Sequence, residues 1–388
     1  GGNSVFALDI TNPESVGEDD FLWEFSHPKM GSSIQQLSVS ALPNGEFGVA
    51  VSSGYKDVPS AGGKVWLLNA ETGRPIHTFD LPDSAELGAP IMVDLNFDRV
   101  TDRIYVGDTS GKIWRLDVEG DDETQWGAPD SLIDSGDNTL ALFAAPSGQS
   151  ITAPLSSAFN KDGEHMVYFG TGSFYRVGQN LVPSDPLVES FYGIIDRGEQ
   201  IAKSDLLEQE IIAEVAEASG RFRAVTDNSI SEIQSGWFID LLWKTEFDGP
   251  GAQGERVVSR ALLRGDRVVF TTVIPSSDLC DAGGTSWLVE VDPDDGSRLG
   301  FSVFDVDGDN LINDSDTITV KIDDEDVEVP ASGFAPDIGL LPSPTVLTSY
   351  DGGDCEEQKV LPGSSGEMIT VQEQCPIEVG RQNWEQLR

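Results

Sequence analysis

Basic residues are scarce in this chain: 24 lysines and arginines stand against 67 aspartates and glutamates, a formal net charge of −43. That imbalance excludes nucleic acid and anionic membrane surfaces as partners, since both bind through neutralisation of their own negative charge. It favours cations. Long hydrophobic runs are also missing, so no membrane-inserting helix is expected. The opening Gly1-Gly2-Asn3 lacks the charged and apolar regions of a signal peptide, and the chain reads as an excised piece. Cysteine is limited to Cys280, Cys355 and Cys375, without CxxC spacing, which argues against a structural zinc site. Cys355 and Cys375 flank Pro362-Gly363-Ser364-Ser365-Gly366, so two strands meeting there would allow a bridge in an oxidising compartment, with Cys280 unpaired or competing. Histidine is limited to His27, His77 and His165, far apart and without HExxH spacing, and no G-x-S-x-G elbow occurs. No enzyme is expected, although a carboxylate pair of the glycosidase kind leaves no signature in sequence.

What is present is a chain of 388 residues with 38% hydrophobic content, enough for a large core. Similar phrases recur: Val5-Phe6-Ala7-Leu8-Asp9, Val65-Trp66-Leu67-Leu68-Asn69, Ile113-Trp114-Arg115-Leu116-Asp117, Tyr192-Gly193-Ile194-Ile195-Asp196 and Trp287-Leu288-Val289-Glu290-Val291-Asp292. Each reads as a strand ending in an acidic or amide turn. Irregular repeats of about 45 to 80 residues built from antiparallel strands predict an all-β, modified β-propeller of about seven irregular blades, with a sandwich as the competing architecture. Residues 1–388 are read as a single domain with insertions near 200–220 and 305–335 and a polar tail over 351–388. Helical periodicity is scarce. The segment Ser204–Ala216 fits a short helix capped by Ser204 or Asp205 and stopped by Gly220, and equally fits a strand.

Two acidic loops carry the chemistry. In the nine residues from Asp94 to Asp102, side-chain oxygens stand at positions 1, 3, 5 and 9 (Asp94, Asn96, Asp98, Asp102), and Val100 offers its carbonyl at position 7. Ca²⁺ takes roughly six to eight oxygens, and such a loop between two apolar runs supplies most of them, clipping a hairpin. The second loop, Asp305 to Asp316, places carboxylates at positions 1, 3, 5 and 12 of an EF-hand-like frame (Asp305, Asp307, Asp309, Asp316), with the Leu311 carbonyl at position 7. It departs from that frame in two places. Gly308 stands at position 4 while Asn310 must make the sharp turn at position 6, and Asp316 replaces the usual glutamate. Other clusters read as structure: Asp292-Pro293-Asp294-Asp295-Gly296 as a turn, Asp323-Asp324-Glu325-Asp326 as a solvated loop, and Arg264-Gly265-Asp266 as a hairpin turn that happens to spell an adhesion tripeptide.

Further phrases complete a pattern: Gly236-Trp237-Phe238-Ile239-Asp240-Leu241, Gly254-Glu255-Arg256-Val257-Val258-Ser259, Val269-Phe270-Thr271-Thr272-Val273-Ile274-Pro275, Gly284-Thr285-Ser286-Trp287-Leu288 and Gly380-Arg381-Gln382-Asn383-Trp384. Together with the opening Gly2-Asn3-Ser4-Val5-Phe6-Ala7-Leu8-Asp9 and Gly111-Lys112-Ile113-Trp114-Arg115-Leu116-Asp117, this order resembles the C-terminal domain of the PilY family, type IV pilus tip-associated adhesins related to neisserial PilC. The resemblance implies a modified β-propeller and a calcium site at Asp94, Asn96, Asp98, Val100 and Asp102. It implies a non-enzymatic module that regulates pilus extension against retraction, twitching motility and surface adhesion. Its expected partners are minor pilins at the pilus tip and host or abiotic surfaces through the full-length protein. The expected location is the bacterial cell surface, at the pilus tip, the outer membrane or the periplasm, after export. Two alternatives remain open: a quinoprotein-like calcium-dependent dehydrogenase propeller, echoed in Asn69-Ala70-Glu71-Thr72-Gly73, and a calcium-dependent lectin or scaffold module.

Overall fold

β-branched and aromatic residues set between glycine, aspartate and proline turns build strands throughout, and the computed structural model is all-β, with only short 3-10 turns as helical pieces among the described residues. It describes residues 2–373 apart from 33–35, 57–61, 218, 244–250, 277, 279–282, 323 and 352–353, with the side chains of 243, 350, 351, 354–356 and 373 also excluded. The expected disulfide therefore lies outside the described residues. Two compact units emerge, residues 1–155 with 196–203, and residues 156–195 with 204–388.

In the first unit, Ser38–Ala41, Phe47–Ser52, Gly63–Asn69 and Pro75–Leu81 form a four-stranded antiparallel meander. Ile91–Val93, Arg103–Gly107, Lys112–Asp117, Phe143–Ala144 and Ile201–Ala202 form a five-stranded sheet, closed by a parallel pairing of its last two members. Ser4–Leu8 pairs with Phe21–Ser26. Such short antiparallel sheets are the blades that the repeats predict. The central strand Gly63–Asn69 buries Val65, Trp66, Leu67 and Leu68 in succession, so it is covered on both faces.

The second unit is organised by a ten-stranded sheet that runs from Ser156–Phe159 through His165–Gly170, Ser190–Ile195, Gly236–Trp243, Leu207–Glu217, Gly220–Val225, Gly333–Ala335, Gly284–Val291 and Arg267–Pro275 to Leu262–Arg264. Phe191 stacks on Phe270 with ring centroids 3.9 Å apart, inside a core that includes Trp237 and Trp287. The segment that fitted helix or strand equally is a strand, and the helical insertion does not exist. Gln209, Ile211 and Ala213 are buried at alternate positions, and Gly220 ends a hairpin opposite Glu217 with φ 153° where a helix stop was expected. Neighbours on both sides complete its backbone hydrogen bonds, so tertiary pairing overrides the local apolar run. The polar tail likewise supplies strands: Thr345–Asp351, Asp354–Pro362 and Met368–Glu373 form an antiparallel sheet whose second turn is the glycine- and serine-containing stretch anticipated from sequence.

Scarce cations sit inside this unit. Arg223, 1% exposed, donates to both oxygens of Glu255 at 2.8 and 3.0 Å and to Glu214 at 2.8 Å, and its guanidinium lies 3.8 Å over the Trp287 ring. Lys359 donates to Glu290 at 2.6 Å with both side chains fully buried. Removing one partner of such a pair leaves an uncompensated buried charge, which costs far more than the pair itself contributes.

Two turns share one docking device. In Asn69–Gly73 the Gly73 amide donates to the Asn69 carbonyl at 2.8 Å, and Trp23 Nε1 donates to the Ala70 carbonyl at 2.9 Å. In Asp292–Gly296 the Gly296 amide donates to the Asp292 carbonyl at 2.9 Å, and Trp237 Nε1 donates to the Pro293 carbonyl at 2.9 Å. Both glycines are left-handed, and a Cβ added to Gly296 would stand 2.2 Å from the Trp237 ring. Gly296→Ala combines backbone strain with overpacking and should cost about 2 to 4 kcal/mol in urea unfolding. Gly366→Ala, equally left-handed but with open space around it, should cost only about 1 kcal/mol.

Burial pushes the Asp292 carboxyl up to about 6, with Asp295 and Asp294 adding repulsion against the stabilising Asp294 amide. A raised folded-state pKa means that the ionised form opposes folding: the penalty is full above pH 6 and fades as pH falls towards the ordinary carboxylate range. Asp292→Asn keeps the oxygen acceptor, as Asn69 does in the sister turn. Its melting temperature should exceed that of the unsubstituted protein at pH 8, and the two should converge by about pH 4.

Candidate metal centre

The first acidic loop joins Ile91–Val93 to Arg103–Gly107, an antiparallel pair that the Asp102 amide closes by donating to the Val93 carbonyl at 2.9 Å. Within it, each acidic or amide side chain accepts from the backbone ahead. The two oxygens of Asp94 accept from the amides of Phe97 (2.7 Å) and Arg99 (2.6 Å), Asn96 from Asp98 (2.9 Å), and Asp98 from Val100 (2.8 Å). Asp102 accepts from the amide of Leu95 at 2.6 Å, reaching back across the loop.

The second loop repeats that ladder position by position. Asp305 accepts from the amides of Gly308 (2.7 Å) and Asn310 (2.9 Å), Asp307 from Asp309 (3.1 Å), and Asp309 from Leu311 (2.7 Å). Asp316, fully buried, accepts from Val306 at 2.7 Å and from Asn313 at 2.8 Å. The backbone follows suit: positions 4 and 6 are left-handed in both loops, at Phe97 (φ 64°) and Arg99 (φ 73°), and at Gly308 (φ 80°) and Asn310 (φ 66°). Gly308 is therefore no departure from the pattern, since position 4 needs that conformation. The first loop holds it with a phenylalanine and an arginine, at a cost of about 1 to 3 kcal/mol each.

Among the described residues, Asp305, Asp307 and Asp309 form a group whose carboxylate oxygens lie within 4.8 Å of one another, and this group could hold a metal ion. Three like charges at that spacing repel by roughly 1 kcal/mol per pair even in water, and a divalent cation removes the repulsion. In the first loop the third position is an amide, Asn96, so fewer charges converge. The terminal carboxylates of both loops already hold donors: each Asp102 oxygen accepts one and keeps a lone pair, whereas Asp316 Oδ1 accepts from both Val306 and Asp307 and only Oδ2, holding Asn313, keeps one.

The remaining motifs are structural. In Arg264-Gly265-Asp266, Gly265 and Asp266 make a two-residue hairpin turn between the paired Arg264 and Arg267, with Gly265 at φ 56°. The Arg264 guanidinium is engaged by Glu357, and Asp266 accepts from Arg267 at 3.0 Å. Glu325 and Asp326 open an exposed hairpin strand opposite Ile322 and Lys321, and Asp326 pairs with Lys321 at 3.0 Å. Each histidine packs on a ring: His27 on Trp66, His77 on Trp126 and His165 on Phe159.

A buried carboxylate escaped the sequence reading. Asp196 accepts from Arg115 at 2.8 Å, from Arg103 at 3.2 Å, from the Gly198 amide at 2.9 Å and from the Tyr105 hydroxyl. Burial, reinforced by the Asp196 charge, pushes the Tyr105 phenol far above its ordinary range. The signal was the acidic residue ending the phrase Tyr192–Asp196, but its partners lie 81 to 93 residues away.

Residues 1–208 match the family model for the PilY1 beta-propeller domain. The chain belongs to that family. It is 27% identical over its whole length to a type IV pilus biogenesis factor PilY1 homolog of Xylella fastidiosa, and 25% identical over 99% of its length to type IV pilus biogenesis factor PilY1 of Pseudomonas aeruginosa. It spans 28% and 35% of those two proteins. The crystal structure of the Pseudomonas aeruginosa PilY1 C-terminal domain superposes with a TM-score of 0.73 at 23% identity, over 96% of this chain and 78% of that one, which shows a shared fold.

Because a shared ladder builds both loops, Asp94→Ala and Asp305→Ala each release two backbone amides. Each should destabilise the metal-free protein by about 1 to 3 kcal/mol, read by thermal unfolding in EDTA. A carboxylate whose only role was to bind metal would leave that value unchanged.

Proposed function

We propose that this chain is a calcium-responsive, non-enzymatic module of a type IV pilus biogenesis factor, acting as one PilY-type propeller domain over residues 1–388. The single observation that supports the reading is the duplicated ladder: two loops of different sequence, in a chain of this family, converge on one backbone conformation, and in the second the Asp305, Asp307 and Asp309 carboxylates meet. Oxygen-only donors favour a hard cation, and the flexible, carbonyl-assisted set suits Ca²⁺ over octahedral Mg²⁺. Asp94, Asn96, Asp98, Asp102 and the Val100 carbonyl would ligate one ion, and Asp305, Asp307, Asp309, Asp316 and the Leu311 carbonyl a second. In the cell the module would sit on the exported, surface-facing pilus machinery, contact minor pilins, and bias extension against retraction according to calcium occupancy. Motility and attachment would follow. The Arg264-Gly265-Asp266 turn contributes little to adhesion on this reading, since its arginine is engaged. The phrase that suggested a quinoprotein dehydrogenase, Asn69–Gly73, serves to dock Trp23.

The test is a calcium titration followed by melting temperature on the unsubstituted protein, Asp98→Ala and Asp309→Ala. Calcium at a hundredfold excess over Kd should stabilise a site by about 2.7 kcal/mol. Each substitution should remove one loop's share. If neither changes the calcium-dependent shift, the switch reading fails. Pilus assembly and twitching, scored in cells carrying the same substitutions, then separate a regulatory ion from a purely structural one.

A further inference from the structure

Beside the second loop, within the same unit, lies a cleft of about 650 Å³. Phe222, Phe304 and Phe334 line it as a cluster, with Phe334 stacked on Phe222 at 5.4 Å and 6.1 Å from Phe304. Phe222 and Phe304 are almost fully buried, so Phe334, half-buried, offers the accessible ring. Gln358 and Gln372, cross-strand partners in the sheet of Asp354–Pro362 and Met368–Glu373, also line it. Thr370 adds a hydroxyl, and Asn310 of the metal loop a third amide.

We infer that this cleft binds a neutral saccharide. Size comes first: the volume falls within the range of small-ligand sites and admits a di- or trisaccharide. Charge narrows the choice. No lysine, arginine or histidine lines the cleft among the described residues, the Asp305 carboxylate does, and the chain carries a net charge of −43, so carboxylates, phosphates and sulfates find no opposite charge there and are repelled. A cation would satisfy the Asp305 carboxylate but would leave the amide NH₂ groups of Gln358, Gln372 and Asn310 facing a second set of donors. Hydroxyls donate and accept, as side-chain amides do, so a polyol matches the cleft's mixed inventory. Pyranose rings add apolar C–H faces that pack on an aromatic ring, which the phenylalanine cluster supplies. The inference stands on the cleft alone and needs no ion in the neighbouring loop.

The experiment measures saturation-transfer NMR and calorimetric binding of cellobiose, maltotriose, lactose and di-N-acetylchitobiose, with sialyllactose and an alternating lysine–valine octapeptide as competitors, in calcium and again in EDTA. At least one neutral saccharide should bind, and more tightly than sialyllactose. Gln372→Ala, on an exposed strand position, should weaken binding by about tenfold while leaving the calcium-dependent melting shift unchanged. Phe334→Ala should weaken it as strongly. The inference is overturned if no neutral saccharide binds in either buffer, if Gln372→Ala leaves affinity unchanged, or if the octapeptide occupies the cleft in preference. Since Gln372→Ala removes only an exposed amide, a folding failure of Phe334→Ala does not rescue the idea.

Discussion

The bond from a backbone amide to a nearby carboxylate is the interaction on which this all-β chain depends. Every sheet must be closed by turns, and a turn leaves amides with no partner strand. Here aspartate supplies the partner. Asp108 is the extreme case: fully buried, it accepts from the amides of Ala85, Ser110 and Lys112, from the Ser110 hydroxyl and from Trp114 Nε1, all neutral donors. Its charge is solvated by the fold, as water would solvate it. On the surface the same chemistry holds Asp9, Asp122 and Asp134 below the usual carboxylate range, chiefly through side-chain donors from Thr11, Thr124 and Asn138. Depressed folded-state values contribute stability above the ordinary range, which is lost as pH falls through them. These turns lose their share of stability as pH falls, whereas the buried Glu189, Glu214 and Asp292, raised by desolvation, act in the opposite sense.

The excess of acid reads first as a solvated surface, and many of its members prove to be turn partners or members of buried networks. The few cations are placed with corresponding economy. Arg115 and Arg103 converge on Asp196, Arg223 on Glu255 and Glu214, and Lys359 on Glu290, so interior positions use arginines and lysines that a typical protein leaves in water. Substituting them is expected to harm folding before it affects any binding.

Legibility in the sequence followed the range of the interactions. The five recurring phrases are strands because their apolar patterns are local, and the hairpin at Arg264–Asp266 was visible in three residues. The two acidic loops were visible too, since their ladder runs between residues two to five apart. Leu207–Glu217 was ambiguous because its run of Leu, Ile and Ala fits either period, and pairing with strands on both sides decided it. The Asp196 cluster and the tryptophan docking were invisible for a harder reason: Trp23 reaches Ala70 across 47 residues and Trp237 reaches Pro293 across 56, and no local pattern encodes such a meeting. The left-handed Phe97 and Arg99 were missed because no turn rule places bulky residues there.

Those two residues bear on how an ion would act. A loop that relied on metal for its shape would be free to wander without it, and calcium would then operate by ordering. Here the Asp94 and Asp305 carboxylates already hold the two left-handed positions through paired amide bonds, and Asp102 and Asp316 tie the far ends back. Backbone geometry is therefore specified by the chain, and an arriving cation has little conformational entropy to remove. What it would change is charge: in the second loop it would cancel repulsion among Asp305, Asp307 and Asp309, and in both it would meet oxygens that backbone amides already hold. A switch built this way would work through local potential and strain at a preformed loop. It should respond to ionic strength as well as to calcium, because salt screens the exposed repulsion that the ion relieves.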